Sequence, residues 1–258
     1  MQTDAEIKAT IKSFPTWHYQ FNLNGNLTPI RDPSSVNRHN QRKRYFFDPL
    51  IRLLGGSLKG KRVLDLGCNA GFWSLLAIRS DCDFVLGIDA RQMHIDQADF
   101  VFEVESIDEA RYRFLQSNIF DIDYREVGKG HFDIVFCLGL LYHIAKPMTL
   151  FEKISEVNSD ILIIDTSLSP ASGSMLELRH ETPNDPRHTA DYELVMVPTK
   201  QAVIDMVQPF GYSTAILEPQ FQNFEGCTDY QQGLRSAFIG TKQTDLSPII
   251  DSLAVGKS

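Results

Sequence analysis

One stretch narrows the possible fold more than any other: Val63-Leu64-Asp65-Leu66-Gly67-Cys68-Asn69-Ala70-Gly71-Phe72-Trp73-Ser74. An apolar run ends in a loop of small residues, and the loop opens a second apolar segment, Ser74-Leu75-Leu76-Ala77-Ile78. Strand, tight turn and helix in this order build a nucleotide site at the carboxyl end of the first strand of an open α/β sheet. Gly67 and Gly71 let the backbone approach a ligand where a Cβ would intrude. Asn69, between them, is the non-glycine type that best tolerates a left-handed backbone. The spacing is Asp-x-Gly-x-Asn-x-Gly, not the Gly-x-Gly-x-x-Gly of dinucleotide sites. Asp65, read as aimed at the loop, would repel a pyrophosphate. Both features favour a ligand other than a dinucleotide.

The rest of a sheet follows in order. Phe84-Val85-Leu86-Gly87-Ile88-Asp89 is a second strand ending in an acid. That acid lies roughly 20 residues beyond the glycine loop, the distance expected of a carboxylate that grips ribose hydroxyls. Arg113–Gln116 reads as a third strand, with Ser117-Asn118-Ile119-Phe120-Asp121 as the turn beyond it. Asn118 suits an Asx-type turn as well as a ligand. His131–Cys137 is a buried fourth strand and Asp160–Thr166 a fifth. Ser213–Glu218 and Leu234–Gly240 make a late pair. The expected fold class is α/β: a seven-stranded, mostly parallel sheet with a late antiparallel hairpin and helices on both faces.

Three segments flank or interrupt this core. Residues 1–57 read as a helical arm or lid, with a weak helix over Asp4–Ser13 and Trp17 as an anchor. A helix capped by Ser34-Ser35 is expected to run to Leu54, kinked or split at Pro49. Its basic cluster, Arg38, Arg42, Lys43 and Arg44, reads as a solvated face more than as an anion site. Residues 58–243 form the cofactor-binding domain. Within it 167–198 has loop composition and reads as an inserted lid carrying Arg179, His180, Arg187 and His188. No third ligand accompanies the two histidines, so no metal is expected. Residues 244–258 read as a polar, frayed tail.

Bulk properties remove several classes of function. A charge of −8 and a pI near 5.4 argue against a generally basic nucleic-acid surface. Hydrophobic content of 43% is that of a soluble globule, and no run reaches the length of a membrane span. The first residues lack the parts of a signal peptide, and Cys68, Cys82, Cys137 and Cys227 are scattered. A reduced, cytoplasmic protein is expected.

With the Asp65–Gly71 motif and Gly87-Ile88-Asp89, several further blocks carry a resemblance. They are Phe132-Asp133-x-Val135-Phe136, Gly139-x-Leu141-Tyr142-His143, Pro147, Val197-Pro198 and Leu234-Arg235-Ser236-Ala237. The chain resembles the Rossmann-like S-adenosylmethionine (SAM) methyltransferases. Within them it is similar to the enzymes that complete uridine oxyacetic acid at the tRNA wobble position, and to their relatives of unassigned substrate. The resemblance implies SAM as cofactor, held by Asp65, Gly67, Cys68, Asn69, Gly71 and Trp73 around the first loop. Asp89, Ala90 and Met93 would follow at the second strand, and Asn118, Ile119 and Leu138 at the third and fourth, with Asn118 reading the adenine.

It also implies that the exit of the fourth strand faces the transferred group. Tyr142 and His143 would then stand at the reaction centre, with His18 as another candidate base. Trp17, Tyr142, Arg179, Tyr192 and Arg235 would touch the acceptor. In the tRNA enzymes a tyrosine and a late arginine hold the extra carboxylate of carboxy-SAM, and Tyr142 and Arg235 fall at those positions. The chain departs from that subgroup at Trp17-His18, where those enzymes carry a lysine, and at Ile144-Ala145-Lys146, which replaces a doubly basic run. The expected reaction is methyl transfer to an oxygen, nitrogen or carbon of a small molecule, without tRNA, metal or membrane. The alternatives are carboxymethyl or methyl transfer to tRNA, and a silent SAM-binding regulator.

Overall fold

Alternation along the central strands divides the interior into two layers. Val63, Ile134, Phe136, Ile161 and Ile163 pack on one face of the sheet, and Leu64, Leu66, Val135, Leu162 and Ile164 on the other. A sheet buried on both faces requires strands that are apolar along nearly their whole length, as these are. The computed structural model describes residues 2–185 and 188–249. Arg187 and the last nine positions of the expected tail lie outside the described residues.

The chain begins with α1 (Asp4–Ser13) and a small hairpin of β1 (Asn22–Leu23) and β2 (Asn26–Leu27). Then come α2 (Ser34–Arg42), α3 (Asp48–Leu53), β3 (Arg62–Leu66), α4 (Phe72–Arg79), β4 (Phe84–Asp89), α5 (Gln92–Val104), β5 (Tyr112–Gln116), α6 (Tyr124–Gly128) and β6 (Phe132–Leu138). The second half holds α7 (Pro147–Val157), β7 (Asn158–Ser167), β8 (Leu176–His180), β9 (Leu194–Pro198), α8 (Lys200–Val207), β10 (Ser213–Leu217), α9 (Thr228–Gln231) and β11 (Arg235–Thr241). The seven-stranded sheet has the order β10-β11-β7-β6-β3-β4-β5. Neighbours from β7 to β5 are parallel, and β11 runs antiparallel to both β7 and β10. This is the expected fold class. The strand order reverses at β3, which places a crevice at the carboxyl ends of β3, β4 and β6.

Four local readings change. The helix after Ser34 is divided just ahead of Pro49 rather than by it. It passes through a π-helical segment, Lys43–Phe47, in which the Asp48 N–H bonds back to the Lys43 carbonyl. That wider turn leaves Pro49 in the first turn of α3, where its missing N–H costs nothing. Ser34 does not cap α2; the Asp32 carboxylate accepts from the Ser34 N–H and hydroxyl instead. Residues 167–198 are not all loop, because β8 and β9 pair as an antiparallel hairpin from Leu176↔Pro198 to His180↔Leu194. The described part of the tail is not frayed. The Thr244 N–H bonds the Asp160 carboxylate, and Leu246 and Ile249 are buried.

The arm is packed against the sheet rather than standing off it. Ile7, Ile11, Trp17, Tyr19, Phe21 and Leu23 belong to the same apolar layer as Val63 and Phe136. The Trp17 indole N–H donates to the Ile11 carbonyl at 3.1 Å. The Tyr19 ring stacks on Phe72, and its hydroxyl accepts from the Trp73 indole. α4, which starts at the glycine loop, is thus clamped between sheet and arm.

Asp65 lies in the middle of this packing. Its carboxylate is buried and accepts the Ser74 hydroxyl of α4 at 2.7 Å. Burial pushes its pKa up to about 7, against the opposing hydrogen bonds from Ser74. A folded-state pKa raised above the unfolded value means stability that is full below about pH 4 and lost as pH climbs through about 7. The linked free energy is at most about 4 kcal/mol, at about 1.4 kcal/mol per pKa unit. Asp65→Asn keeps an oxygen for Ser74 and removes the charge. It is expected to melt several degrees above wild type near about pH 8 and to lose that advantage near about pH 5. Melting curves at the two pH values check this; a variant weaker than wild type at both would show that the ionised form supports the fold.

Candidate cofactor and acceptor site

The crevice at the ends of β3, β4 and β6 deepens into a cavity of about 460 Å³. Its cofactor end is built from local turns. Gly67 has φ +68°, and a Cβ there would come within 3.3 Å of the Leu140 side chain. Asn69 is also left-handed, at φ +50°. Gly71, at φ +74°, faces inward, where a Cβ would meet Phe114 at 3.1 Å. The glycines therefore do different work: Gly67 opens the cavity wall, and Gly71 lets α4 begin against the packed side of the sheet.

Asp89 closes β4 at the cavity edge. Its carboxylate accepts the Asn69 N–H, the Arg91 N–H and His94 Nδ1, each at 3.0 Å. A carboxylate offers about four acceptor positions, so these three bonds leave room for one hydroxyl. Asn118 lines the cavity, and its side-chain oxygen accepts the Phe120 N–H at 3.0 Å, which makes it an Asx turn with its amide nitrogen left over. Ala90, Ile119 and Leu138 complete this end.

The other end is built from distant segments. Tyr142 and His143 leave β6 in a single 3-10 turn, their rings 4.0 Å apart. The Arg235 guanidinium lies 5.2 Å above the Tyr142 ring. It also donates from Nε and Nη2 to the Asp165 carboxylate, at 3.1 and 3.0 Å. The same carboxylate holds Arg42 of α2 and accepts the Tyr230 hydroxyl. Arg42, Asp165 and Arg235 are all buried. The two guanidinium groups hold Asp165 well below the usual carboxylate range, against its burial. Arg42 Nε has no partner among the described residues. One carboxylate faces two guanidinium groups, so this end carries excess positive charge. His18 stands at the rim of this end with its side chain exposed; the partial enclosure there and the charge on Arg42 lower its pKa.

The roof comes from the hairpin. His143 Nδ1 lies 2.6 Å from Glu181, just after β8, and Thr189, Ala190 and Asp191 also line the cavity. The Arg91 guanidinium reaches across to the carbonyls of Pro183, Asp185, His188 and Thr189. The loop is thereby tied to the residue that follows the Asp89-Ala90 corner.

Of the residues expected from sequence, the structure gathers Gly67, Asn69, Asp89, Ala90, Asn118, Ile119, Leu138, Tyr142, His143, His18 and Arg235 around one cavity. It does not bring the others there. Asp65 turns into the core, because Ser74 and apolar neighbours enclose it. Cys68, Trp73 and Trp17 are buried in the layer between arm and sheet, and Gly71 faces the same side. Met93 lies on α5 outside the lining. Arg179 is exposed and paired with Glu177, and Tyr192 is half-exposed against Lys146. The basic cluster is not a solvated face either: Arg42 is buried on Asp165, and Arg38 pairs with Asp229. His180 is exposed, while the His188 ring lies 6.3 Å from that of His143.

Residues the sequence did not single out are Tyr19, His94, Asp165, Glu181 and Tyr230. Asp165 had a visible sign: like Asp65 and Asp89, it is an acid near the end of an apolar strand.

The donor set fits SAM. A carboxylate stands where a ribose hydroxyl can be accepted, a positive-φ glycine leaves the wall open, and the loop has no lysine of the kind that serves phosphates. Comparison with known proteins agrees. The profile of the methyltransferase domain family matches residues 57–211. A tRNA U34 carboxymethyltransferase from Sulfurovum sp. is 29% identical over 172 residues, which cover 62% of this chain and 51% of that protein. A ubiquinone biosynthesis O-methyltransferase from Neisseria meningitidis is 24% identical, covering 70% of this chain and 79% of that one. The chain spans about half the length of the Sulfurovum protein. Among solved structures, the N-terminal domain of EvdMO1, crystallised in the presence of SAH and D-fucose, superposes with a TM-score of 0.69 at 20% identity, covering 93% of this chain and 97% of that one. By fold, by site and by the family profile, the chain belongs to the SAM-dependent methyltransferases.

Proposed function

We propose that the protein transfers the methyl group of SAM to a hydroxyl of a small acceptor, seated between the exit of β6, the N-terminal arm and the hairpin. The observation that carries this is the state of the arginines at the cavity. Arg38 is paired with Asp229, Arg42 and Arg235 share Asp165, and Arg91 is spent on the roof. A tRNA enzyme must neutralise a run of phosphates with accessible cations. Here the cations beside the reaction centre are committed inside the protein, and the net charge is −8. A cavity of about 460 Å³ is of the size that holds a cofactor-sized ligand and a compact partner.

When bound, SAM supplies a methyl group already activated by a cationic sulfur. The chain has to align the acceptor with it, keep water out and take a proton. Tyr142 and the roof residues Thr189 and Ala190 shape the acceptor's space. His18 stands at the rim of the cavity beside Arg42, and that charge works against protonating it. His143 lines the same space with a carboxylate, Glu181, 2.6 Å from its Nδ1, and is the better candidate.

A second reading has one observation in its favour. The excess charge of the Arg42–Asp165–Arg235 group, with Arg42 Nε unpartnered, suits an anionic ligand. Carboxy-SAM would supply a carboxylate at that point, and several curated relatives bear the name tRNA U34 carboxymethyltransferase. A mass spectrum of the nucleoside extracted from purified protein separates the two readings.

Two experiments follow. Asp89→Asn should weaken SAM binding by about tenfold or more in calorimetry while the circular dichroism spectrum stays that of wild type; unchanged affinity would remove Asp89 from the ribose site. Radiolabelled SAM offered with a panel of phenols and sugars, D-fucose among them, and with bulk tRNA should label the small-molecule fraction. Label in the tRNA, or none anywhere despite tight SAM binding, would overturn the reading in favour of the tRNA enzyme or the silent regulator.

A further inference from the structure

The hairpin brings a carboxylate to His143 that nothing in the strand motifs announces. Glu181 Oε2 lies 2.6 Å from His143 Nδ1, and the two side chains are only 15% and 12% exposed. Resting on the methyl-transfer reading above, we propose that Glu181 is the positioning residue that fixes the His143 proton on Nδ1 and leaves Nε2 as the base for an acceptor hydroxyl.

The chemistry of the pair sets the tautomer. Burial raises the Glu181 pKa, but the hydrogen bond and charge of His143 and the Thr189 N–H outweigh it and hold the carboxyl below its ordinary range. An ionised carboxylate only accepts, so the nitrogen it touches must donate. Neutral imidazole has one N–H, so Nε2 keeps its lone pair. Among the described residues Nε2 makes no hydrogen bond, and His143 lines the cavity.

Both partners are held by backbone. The Glu181 N–H donates to the Glu193 carbonyl across the hairpin at 2.7 Å, and the Thr189 N–H donates to Oε2 at 2.9 Å. The His143 N–H donates to the Leu140 carbonyl at 2.9 Å. The Met196 N–H of β9 donates to the Ile144 carbonyl, next to the histidine, at 3.0 Å. Hairpin and histidine turn are therefore one hydrogen-bonded unit, and the Arg91 clamp keeps the intervening loop in place. Such outer partners orient the group that does the chemistry.

The step balances without another reactant. His143 Nε2 takes the acceptor's hydroxyl proton as the oxygen's electron pair bonds to the methyl carbon and the sulfur–carbon pair passes to sulfur. A methyl ether and a neutral thioether result, and the positive charge moves to the imidazole. Glu181 holds that imidazolium until water takes the proton. A base at this point suits a hydroxyl acceptor, whose proton has to leave as the oxygen is methylated.

The test uses the full chain with histidine labelled with nitrogen-15, in the presence of SAH. Wild type should show His143 protonated on Nδ1. Glu181→Ala should lose that tautomer, and Glu181→Gln should keep it, since a glutamine carbonyl still accepts. Glu181→Ala should lose about 10- to 100-fold in kcat on the hydroxyl acceptor found in the panel, and Glu181→Gln, which keeps the tautomer and loses only the charge beside the imidazolium, should lose less, both with KM and calorimetric SAH affinity within about twofold of wild type. An Nε2-protonated wild type, or an alanine variant with its tautomer unchanged, would overturn the positioning role. An unchanged kcat, or a preferred acceptor that is a thiol or amine, would overturn the base. A panel that labels only tRNA would sink the small-molecule reading while the tautomer result still decides on Glu181.

Discussion

A single buried carboxylate, Asp165 near the end of β7, holds the acceptor end of the molecule together. It takes one guanidinium from α2 near the start of the chain, one from β11 near its end, and the Tyr230 hydroxyl from α9. Removing one member of such a buried group costs about 3–5 kcal/mol, because the remaining charges are left uncompensated. The antiparallel strand β11 is thus fastened to β7 both by its ladder and by Arg235, and the arm is fastened to the sheet by Arg42. The arrangement also sets the electrostatics of the cavity. Burial and the Arg42 charge together lower the pKa of His39, which packs beside this group.

The cofactor end was largely legible because its parts are local. Gly67, Asn69, Asp89 and Asn118 sit at the carboxyl ends of adjacent strands. A strand that ends in an acid, at a fixed distance from a glycine turn, leaves a signature within one βαβ unit. The same period-two and apolar-run patterns gave the strand sequence and the antiparallel finish. The errors at this end were errors of direction. Asp65 lies near the end of the right strand, but it turns to Ser74 of α4, and Cys68 and Gly71 in the loop beyond it face the buried layer. A motif fixes which residues are near a site more firmly than which way each side chain points.

The acceptor end was poorly legible because it is assembled over long separations. Nothing around Arg42 shows that a carboxylate waits on β7, so a row of basic residues reads as a wet surface. Glu181 is one acid among 33 Asp and Glu residues, in a stretch rich in serine and proline. Its meaning comes from the β8–β9 pairing, which carries it over the cavity to His143. The hairpin was hidden for a physical reason as well: the Leu176-Glu177-Leu178-Arg179 alternation of β8 lasts only four residues and its leucines are exposed, while Leu194–Val197 of β9 is apolar throughout and carries no period.

This division has a consequence for how such proteins diverge. The residues facing the cofactor belong to turns between core strands, where a change of backbone disturbs packing on both faces of the sheet. The far wall of the cavity comes from the arm, the β6 exit and the hairpin, and two of these three can be altered without touching a central strand. Similar chains whose names point to such different acceptors as a tRNA uridine and a quinone precursor fit that picture. What the arm and hairpin share in this chain is a charged tie back to a fixed point, Arg42 to Asp165 and Arg91 to the roof carbonyls beside Asp89. The variable walls are thereby referenced to the invariant geometry of the sheet, which is what in-line transfer between two separately held ligands demands.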